Sequence, residues 1–303
     1  MVGIGTLGLG ERLCFGLCKQ IFKRRARALD TYVALNQDYA AQDRSREAEA
    51  LRYLAHFRRT VDFRGKVILD YACGSGAIAH TIARLTRPQQ MIGLDANAES
   101  IARGRAAFPE VTLRHIVKDR TDLPSASVDV AYTTDAFEHF ERPEAVLAEL
   151  YRVVKPNGYL LIHFIPWWGV EGAHLEGVIP IPWCHILFSE LTLFRTARRV
   201  VRSDFYTPLA WDFDTQGQRR YDLYDAREGF DPGYLNRITI RRFRRYVAEF
   251  TRDRRLEVIE LTLDGFSGKT HPLARWLAWL RRLPVLGELT NRGVYCALRK
   301  CTT

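Results

Sequence analysis

Val67-Ile68-Leu69-Asp70-Tyr71-Ala72-Cys73-Gly74-Ser75-Gly76-Ala77-Ile78-Ala79 is the stretch on which the fold turns. Val67 to Leu69 is a short apolar run of the kind that forms a strand buried on both faces. Gly74-Ser75-Gly76 follows as a turn whose backbone N–H groups are bare enough to meet a ligand. Ala77, Ile78 and Ala79 start a helical pattern that continues through Ile82 and Leu85. Strand, glycine turn and helix in this order build a nucleotide-binding crevice in an open α/β sheet.

The spacing Gly74-x-Gly76-x-x-Ala79 also fits the dinucleotide fingerprint, which by itself discriminates poorly. A second apolar run, Met91 to Leu94, ends at Asp95, 19 residues past Gly76. An acid there suits ribose hydroxyls in either kind of nucleotide. Asp70 separates the two, because a carboxylate at the mouth of the turn repels a pyrophosphate and attracts a cation. S-adenosylmethionine carries an ammonium and a sulfonium and no phosphate. Asp70, Gly74 and Gly76 thus resemble the first motif of the class I S-adenosylmethionine-dependent methyltransferases, acid-x-Gly-x-Gly-x-Gly. Ala72 takes the place of the first glycine, and is expected at negative φ. The alternative is a generic Rossmann-like turn without a cofactor.

Downstream motifs extend the resemblance over residues 64 to 164. Val111 to Val117 reads as a third strand, followed by Asp119-Arg120-Thr121-Asp122-Leu123-Pro124. That segment resembles the family's Asp-x-x-x-Leu-Pro, whose acid bonds the adenine amino group; a lone Asp between elements is otherwise a turn former. Val128 to Tyr132 is a fourth strand, and Asp135-Ala136-Phe137-Glu138-His139 follows it. Pro143, Leu147 and Leu150 lead to the turn Lys155-Pro156-Asn157-Gly158 and a fifth strand, Tyr159 to Phe164, as in the small-molecule methyltransferases of this class. The resemblance implies a Rossmann-like seven-stranded, mostly parallel sheet flanked by helices, with S-adenosylmethionine as cofactor. It implies Asp70 at the methionyl end, Asp95 at the ribose and Asp119 at the adenine. Ala72, Cys73, Gly74, Ser75, Gly76, Ala96, Arg120 and Thr134 complete the expected contacts.

Four parts are expected along the 303 residues: an N-terminal helical segment (1–43), the cofactor-binding core (44–165), a cap inserted after strand 5 (166–236) and a C-terminal completion of the sheet (237–303). Within the core, residues 44 to 59 read as a helix, which the resemblance implies lies over the cofactor, and Ser100 to Ala107 read as another. The cap holds Trp167-Trp168, His174, Pro180-x-Pro182-Trp183-x-His185 and Leu187-Phe188-Ser189-Glu190-Leu191. An insertion there sits over the ligand crevice and is expected to bind the acceptor; the competing reading is a satellite aromatic core. His174, His185 and His139 are the candidate bases for an acceptor hydroxyl, against a bland role as hydrogen-bonded structural histidines. Thr239 is expected to cap a helix burying Ile240, Phe243 and Val247. Leu256 to Leu263 and Gly293 to Leu298 are expected as an antiparallel pair of strands.

The formal charge of +10 favours anionic surroundings without choosing among them. Leu13, Leu17 and Ile21 beside Lys23 to Arg27, and Trp276 and Trp279 beside Arg281 and Arg282, suit an acidic membrane surface; the alternative is packing helices with solvated basic ends. Neither a membrane span nor a signal peptide is expected. Six cysteines in a chain this long form no disulfide framework, so reduced thiols and a cytoplasmic setting, peripheral to a membrane if the basic segments bind one, are expected. Cys14-x-x-x-Cys18 reads as one helix face, and no metal is expected because no matching ligand pair follows. The expected partner is a small-molecule, sugar or lipid-linked acceptor, O-methylated by in-line displacement. A non-catalytic cofactor-binding protein and an RNA methyltransferase are the alternatives; the chain carries no recognisable RNA-binding module.

Overall fold

The computed structural model describes residues 8–24, 27–117, 119–214, 216–230, 234–252, 255–265 and 284–302. The segment Leu273 to Leu283, with its tryptophans and arginines, lies outside them. Helices α1 (Leu9–Arg24), α2 (Arg27–Asn36) and α3 (Tyr39–Phe57) precede strand β1 (Val67–Tyr71). Then follow α4 (Ala77–Thr86), β2 (Gln90–Asp95), α5 (Ala98–Ala107), β3 (Thr112–His115), β4 (Val128–Thr134), α6 (Pro143–Val153) and β5 (Val154–Phe164). The cap contributes α7 (Cys184–Leu187), α8 (Glu190–Val200) and α9 (Asp222–Asp225). Helix α10 (Ile240–Arg252), β6 (Leu256–Gly265), α11 (Pro284–Leu289) and β7 (Asn291–Lys300) finish the chain.

The seven strands form one sheet in the order β3-β2-β1-β4-β5-β7-β6. Strands β1 to β5 are parallel, and β7 runs antiparallel between β5 and β6. From β1 the chain builds outward to β2 and β3, then returns to place β4 on the other side. That reversal leaves a crevice at the carboxyl ends of β1 and β4.

Alternation along the buried strands feeds two apolar layers. Ile68, Val130 and Leu161 face α3 and α4, whereas Leu69, Ala131, Leu160 and Ile162 face α6 and α10. A third cluster stands apart: Leu193, Phe194, Ala197 and Val200 of α8 pack with Tyr206, Tyr224 and Phe230, and with Cys14, Cys18 and Phe22 of α1. The cap's aromatic residues therefore do form a satellite core, and α1 completes it. Cys14 and Cys18 share its buried face as free thiols.

Several boundaries differ from the sequence reading. Helix α3 starts at Tyr39, ahead of 44, because Asp38 caps it by accepting the Ala41 N–H at 2.6 Å. Strand β3 ends at His115, where Ile116 N–H turns to Asp95 O. Lys155 to Gly158 bulge out of β5: Val128 pairs with Val154, and Val130 already pairs with Tyr159. Thr239 caps α10 as expected, its hydroxyl accepting the Arg242 N–H at 3.0 Å.

Candidate active site

The turn after β1 bends back over the end of β2. Ala72 and Cys73 both donate their N–H groups to Leu94 O, at 2.7 and 3.0 Å. This double contact drives Ala72 to a φ of 67°, correcting the expected negative value; the left-handed conformation costs an alanine ~1–2 kcal/mol. The two glycines serve different ends. Gly74, at φ 57°, has open space where a side chain would stand, so its backbone is bare toward the crevice. At Gly76 a Cβ would come within 2.8 Å of the Leu113 side chain, so this glycine serves packing.

The crevice is lined by Asp70, Ala72, Cys73, Gly74 and Ser75 from the turn and by Thr134 and Asp135 from the end of β4. Gln42, Asp43 and Arg46 of α3 close it from above, and Ser100 and Arg103 of α5 from the side. Asp95 adjoins the turn, its carboxylate accepting the Gly74 N–H at 2.7 Å and the Asn97 N–H at 2.7 Å. Asp119 stands further out, paired with Arg142 at 2.6 Å. Ala96 and Arg120 are exposed, outside the crevice lining.

Asp70 is 2 % exposed and accepts the Tyr132 hydroxyl at 2.9 Å. Burial pushes its carboxyl up to about 8, against the opposing pull of that hydrogen bond. A ligand ammonium is the partner that would return it to the charged form, so the donor set fits S-adenosylmethionine. Asp135 behaves in the opposite way. Burial acts to raise it too, yet His163, with Nδ1 2.7 Å from Asp135 Oδ1, and the Tyr53 hydroxyl hold it well below the usual carboxylate range.

Three residues beyond Asp135, the one-turn helix Phe137–His139 carries Glu138 and His139 to the cap. Asn236 locks this turn. Its side-chain amide donates to Phe137 O and Phe140 O, each at 2.8 Å, and its N–H donates to Glu138 O at 2.8 Å. His174 of the cap comes down onto it, with Nε2 3.6 Å from Glu138 Oε1 and its ring 4.9 Å from that of His139. Tyr234 touches both residues: its carbonyl meets the His139 ring at Nδ1, 2.7 Å away, and its hydroxyl donates to the His174 backbone carbonyl at 2.8 Å. Burial raises Glu138 well above the ordinary carboxylate range, aided by the charge of Asp135. Burial lowers His139, and lowers His174 to about 3 with help from His139. His185 is lowered by burial as well, but packs on the Trp167 ring at 4.6 Å rather than joining this cluster.

Behind His174 lies a second cavity of about 320 Å³. Ile21, Val170, Leu175, Ile179, Pro180 and Pro182 give it an apolar wall, and Glu171 pairs with Arg292 at its edge. His174 thus stands between this cavity and the Glu138 turn. Sequence reasoning did not single out Gln42, Asp43, Arg46, Ser100 or Arg103. The polar residues of α3 held the available signal, since that helix was expected over the cofactor.

A methyltransferase-domain family model matches residues 69–162. An S-adenosylmethionine-dependent methyltransferase of Mycolicibacterium smegmatis is 36 % identical over 98 residues, 32 % of this chain and 37 % of that protein. A fatty-acid O-methyltransferase of the same organism is 32 % identical over 102 residues, 33 % of this chain and 37 % of that protein. A sterol 24-C-methyltransferase of Eremothecium gossypii is 33 % identical over 117 residues, 37 % of this chain and 31 % of that protein. The matched segment thus spans about a third of the length of these relatives. In fold, the chain is similar to a chain of the complex between the Haloferax volcanii Trm112 methyltransferase activator and a methyltransferase. That likeness has a TM-score of 0.51 at 16 % identity, covering 86 % of this chain and 94 % of the other.

Proposed function

We propose that this chain is a class I S-adenosylmethionine-dependent methyltransferase, as the likeness of residues 69–162 to a methyltransferase domain supports, and that it methylates an oxygen of an apolar small-molecule or lipid-linked acceptor held beneath the cap. The observation that carries this reading is that a short run of residues links two cavities. Asp135 lines the cofactor crevice, Glu138 follows three residues later, and His174 joins Glu138 to the apolar cavity of the cap. The fatty-acid and sterol methyltransferases among the relatives act on apolar acceptors, which supports such a cavity as the place of the acceptor's body.

When bound, S-adenosylmethionine supplies an electrophilic methyl group on a cationic sulfur. Asp70 and the bare backbone at Gly74 would hold the methionyl end, and Asp95 would accept the ribose hydroxyls. Asp119 would reach the adenine by leaving Arg142. Holding two reactants in line is worth up to ~7–11 kcal/mol, so positioning can account for most of the rate. Burial lowers all three candidate histidines, and His174 at about 3 is a weak base, although its lone pair stays available at neutral pH.

The acceptor is further proposed to be drawn from an acidic membrane surface. On α1, Leu9, Leu13 and Leu17 are exposed in one stripe, with Arg12, Lys19 and Lys23 exposed alongside it. Among the described residues no helix is long and apolar enough to cross a membrane, so the proposed attachment is peripheral.

The test is transfer of a labelled methyl group from S-adenosylmethionine into total lipid and small-molecule extracts by the purified chain. Label entering one extractable species, and lost in Asp95→Ala, is expected. Cofactor binding with no label transferred to any fraction would leave a cofactor-binding protein without this activity.

A further inference from the structure

We infer that Glu138, His139 and His174 form a site for a divalent transition-metal ion of the zinc type, at the junction of the sheet and the cap. One donor atom from each residue lies within 4.8 Å of the other two, and His174 Nε2 stands 3.6 Å from Glu138 Oε1. Ligands at ~2.1 Å around a tetrahedral ion lie roughly 3.4 Å apart, so the Glu138–His174 edge is already near its bound length. His139 is the exposed member of the three, and its donor atom completes the group within 4.8 Å.

A second observation points to the same place. Glu138 is 2 % exposed, and its Oε2 is buried without a hydrogen-bond partner among the described residues. His174 Nε2 is buried and without a hydrogen-bond partner in the same way. Two buried polar atoms without partners, on side chains that approach within 3.6 Å of each other, are costly unless something satisfies them. The surroundings hold the ligands as outer-shell groups do at metal sites. His139 Nδ1 meets Tyr234 O, which leaves Nε2 as the ligating atom, and Ile165 N–H donates to Glu138 Oε1 at 3.2 Å. His174 is itself held at a φ of 51°. Two neutral imidazoles and one carboxylate suit zinc and disfavour magnesium or calcium, which take oxygen ligands. Three protein ligands leave the fourth position for a substrate oxygen, the pattern of catalytic zinc.

An acceptor hydroxyl at the open position would give its proton to water. Its oxygen lone pair would then form the new bond to the methyl carbon as the carbon–sulfur bond breaks toward sulfur. This use of the ion rests on the methyl-transfer reading; the site itself rests on the side chains.

The experiment strips the full-length protein with a chelator and titrates it with Co²⁺, recording the visible absorption of the ion, and then displaces it with Zn²⁺. One Co²⁺ per chain is expected, with tetrahedral-type bands that Zn²⁺ abolishes. Glu138→Gln and His174→Ala should each weaken binding by about 100-fold or more, the upper end of the loss seen when outer-shell partners alone are removed. His80→Ala, which removes a histidine far from the cluster, should leave it unchanged. The S-adenosylmethionine-induced rise in Tm is measured on every variant, so a misfolded protein is recognised and replaced by His174→Gln. Absence of stoichiometric Co²⁺ and Zn²⁺ binding in the folded wild-type protein would overturn the metal site and leave the proposed methyl transfer standing. Binding that survives both ligand changes would place the ion elsewhere and overturn it too.

Discussion

The turn after β1 and the cap over it are held in place by different parts of the chain. Backbone holds the turn: Ala72 and Cys73 donate to Leu94 O, Gly76 donates to Cys73 O, and Gly104 of α5 passes so close that a Cβ there would lie 2.0 Å from Ser75 O. Side chains hold the cap. Asp212 accepts the Tyr206 and Tyr224 hydroxyls and the Leu209 N–H, and Arg198 donates to Tyr224 O and Arg227 O. Glu190 accepts from Phe230 N–H and pairs with Arg237. A backbone-held site needs only a few residue types at fixed local spacing. A side-chain network joins residues far apart in sequence and writes no compact motif. The first arrangement suits a cofactor of constant shape, and the second suits an acceptor that differs between enzymes.

The largest expected effect breaks the cap without touching the turn. Asp212→Ala leaves two buried tyrosine hydroxyls and a backbone N–H without their acceptor, each worth ~1–3 kcal/mol, so a loss of at least about 3 kcal/mol is expected. Chemical denaturation should show that loss, and calorimetry at low temperature should show S-adenosylmethionine affinity within about twofold of wild type. Affinity falling in parallel with stability would mean that cap and turn are one unit.

Gly104→Ala makes the reverse cut. Its methyl group must displace the Ser75 carbonyl, so about 1–3 kcal/mol of overpacking is expected, with cofactor affinity falling about tenfold or more. Isothermal titration reads the affinity. The cap's core should retain its protection in hydrogen exchange, and loss of that protection would blur the distinction.

Asp70→Asn should change stability and binding in opposite directions. The unfolded carboxyl titrates near 3.8 and the folded one near 8, so the folded state holds its proton more tightly. Asp70's own contribution to the stability of the cofactor-free protein is therefore fully present below pH 4, is lost as pH rises from about 4 to 8, and changes no further above. Asparagine removes that slope, raising Tm at pH 7.5, while S-adenosylmethionine binding weakens because no carboxylate faces its ammonium. A difference in Tm between wild type and Asp70→Asn that stays constant across this window would show that Asp70 is ionised throughout.

The smallest effect tests the outer surface of α1. Leu13→Glu removes a 57 % exposed leucine from the apolar stripe and should change folding stability by under about 0.5 kcal/mol. Vesicles containing acidic lipid should sediment the wild type at low salt and release it at high salt. Leu13→Glu should sediment less, and wild type failing on acidic vesicles at low salt would leave α1 as a packing helix alone.

How much was legible in the sequence follows from the same contrast. The strand–turn–helix at Val67 to Ala79 and the acids Asp70 and Asp95 could be read because their spacing is local. The antiparallel position of β7 came from resemblance, since nothing in Gly293 to Leu298 says which neighbour it pairs with. Ala72 misled because the pull of Leu94 O on two successive N–H groups outweighs an alanine's preference for negative φ. The meeting of Glu138 and His139 with His174 could not be read at all. His174 arrives from the cap by way of Tyr234, 60 residues further on, and no periodicity connects them. Cys14 and Cys18 did read as one helix face, but their partner, α8, lies far along the chain.

Titration calorimetry of S-adenosylmethionine against the purified chain tests the central claim most directly, with NAD as the competing ligand. One S-adenosylmethionine per chain is expected, adding about 2.7 kcal/mol of stability at 100 times its dissociation constant. Affinity should fall with Asp95→Ala by the ~1.5–3 kcal/mol of a charged hydrogen bond. Heat of binding with NAD and none with S-adenosylmethionine would contradict the assignment of the crevice.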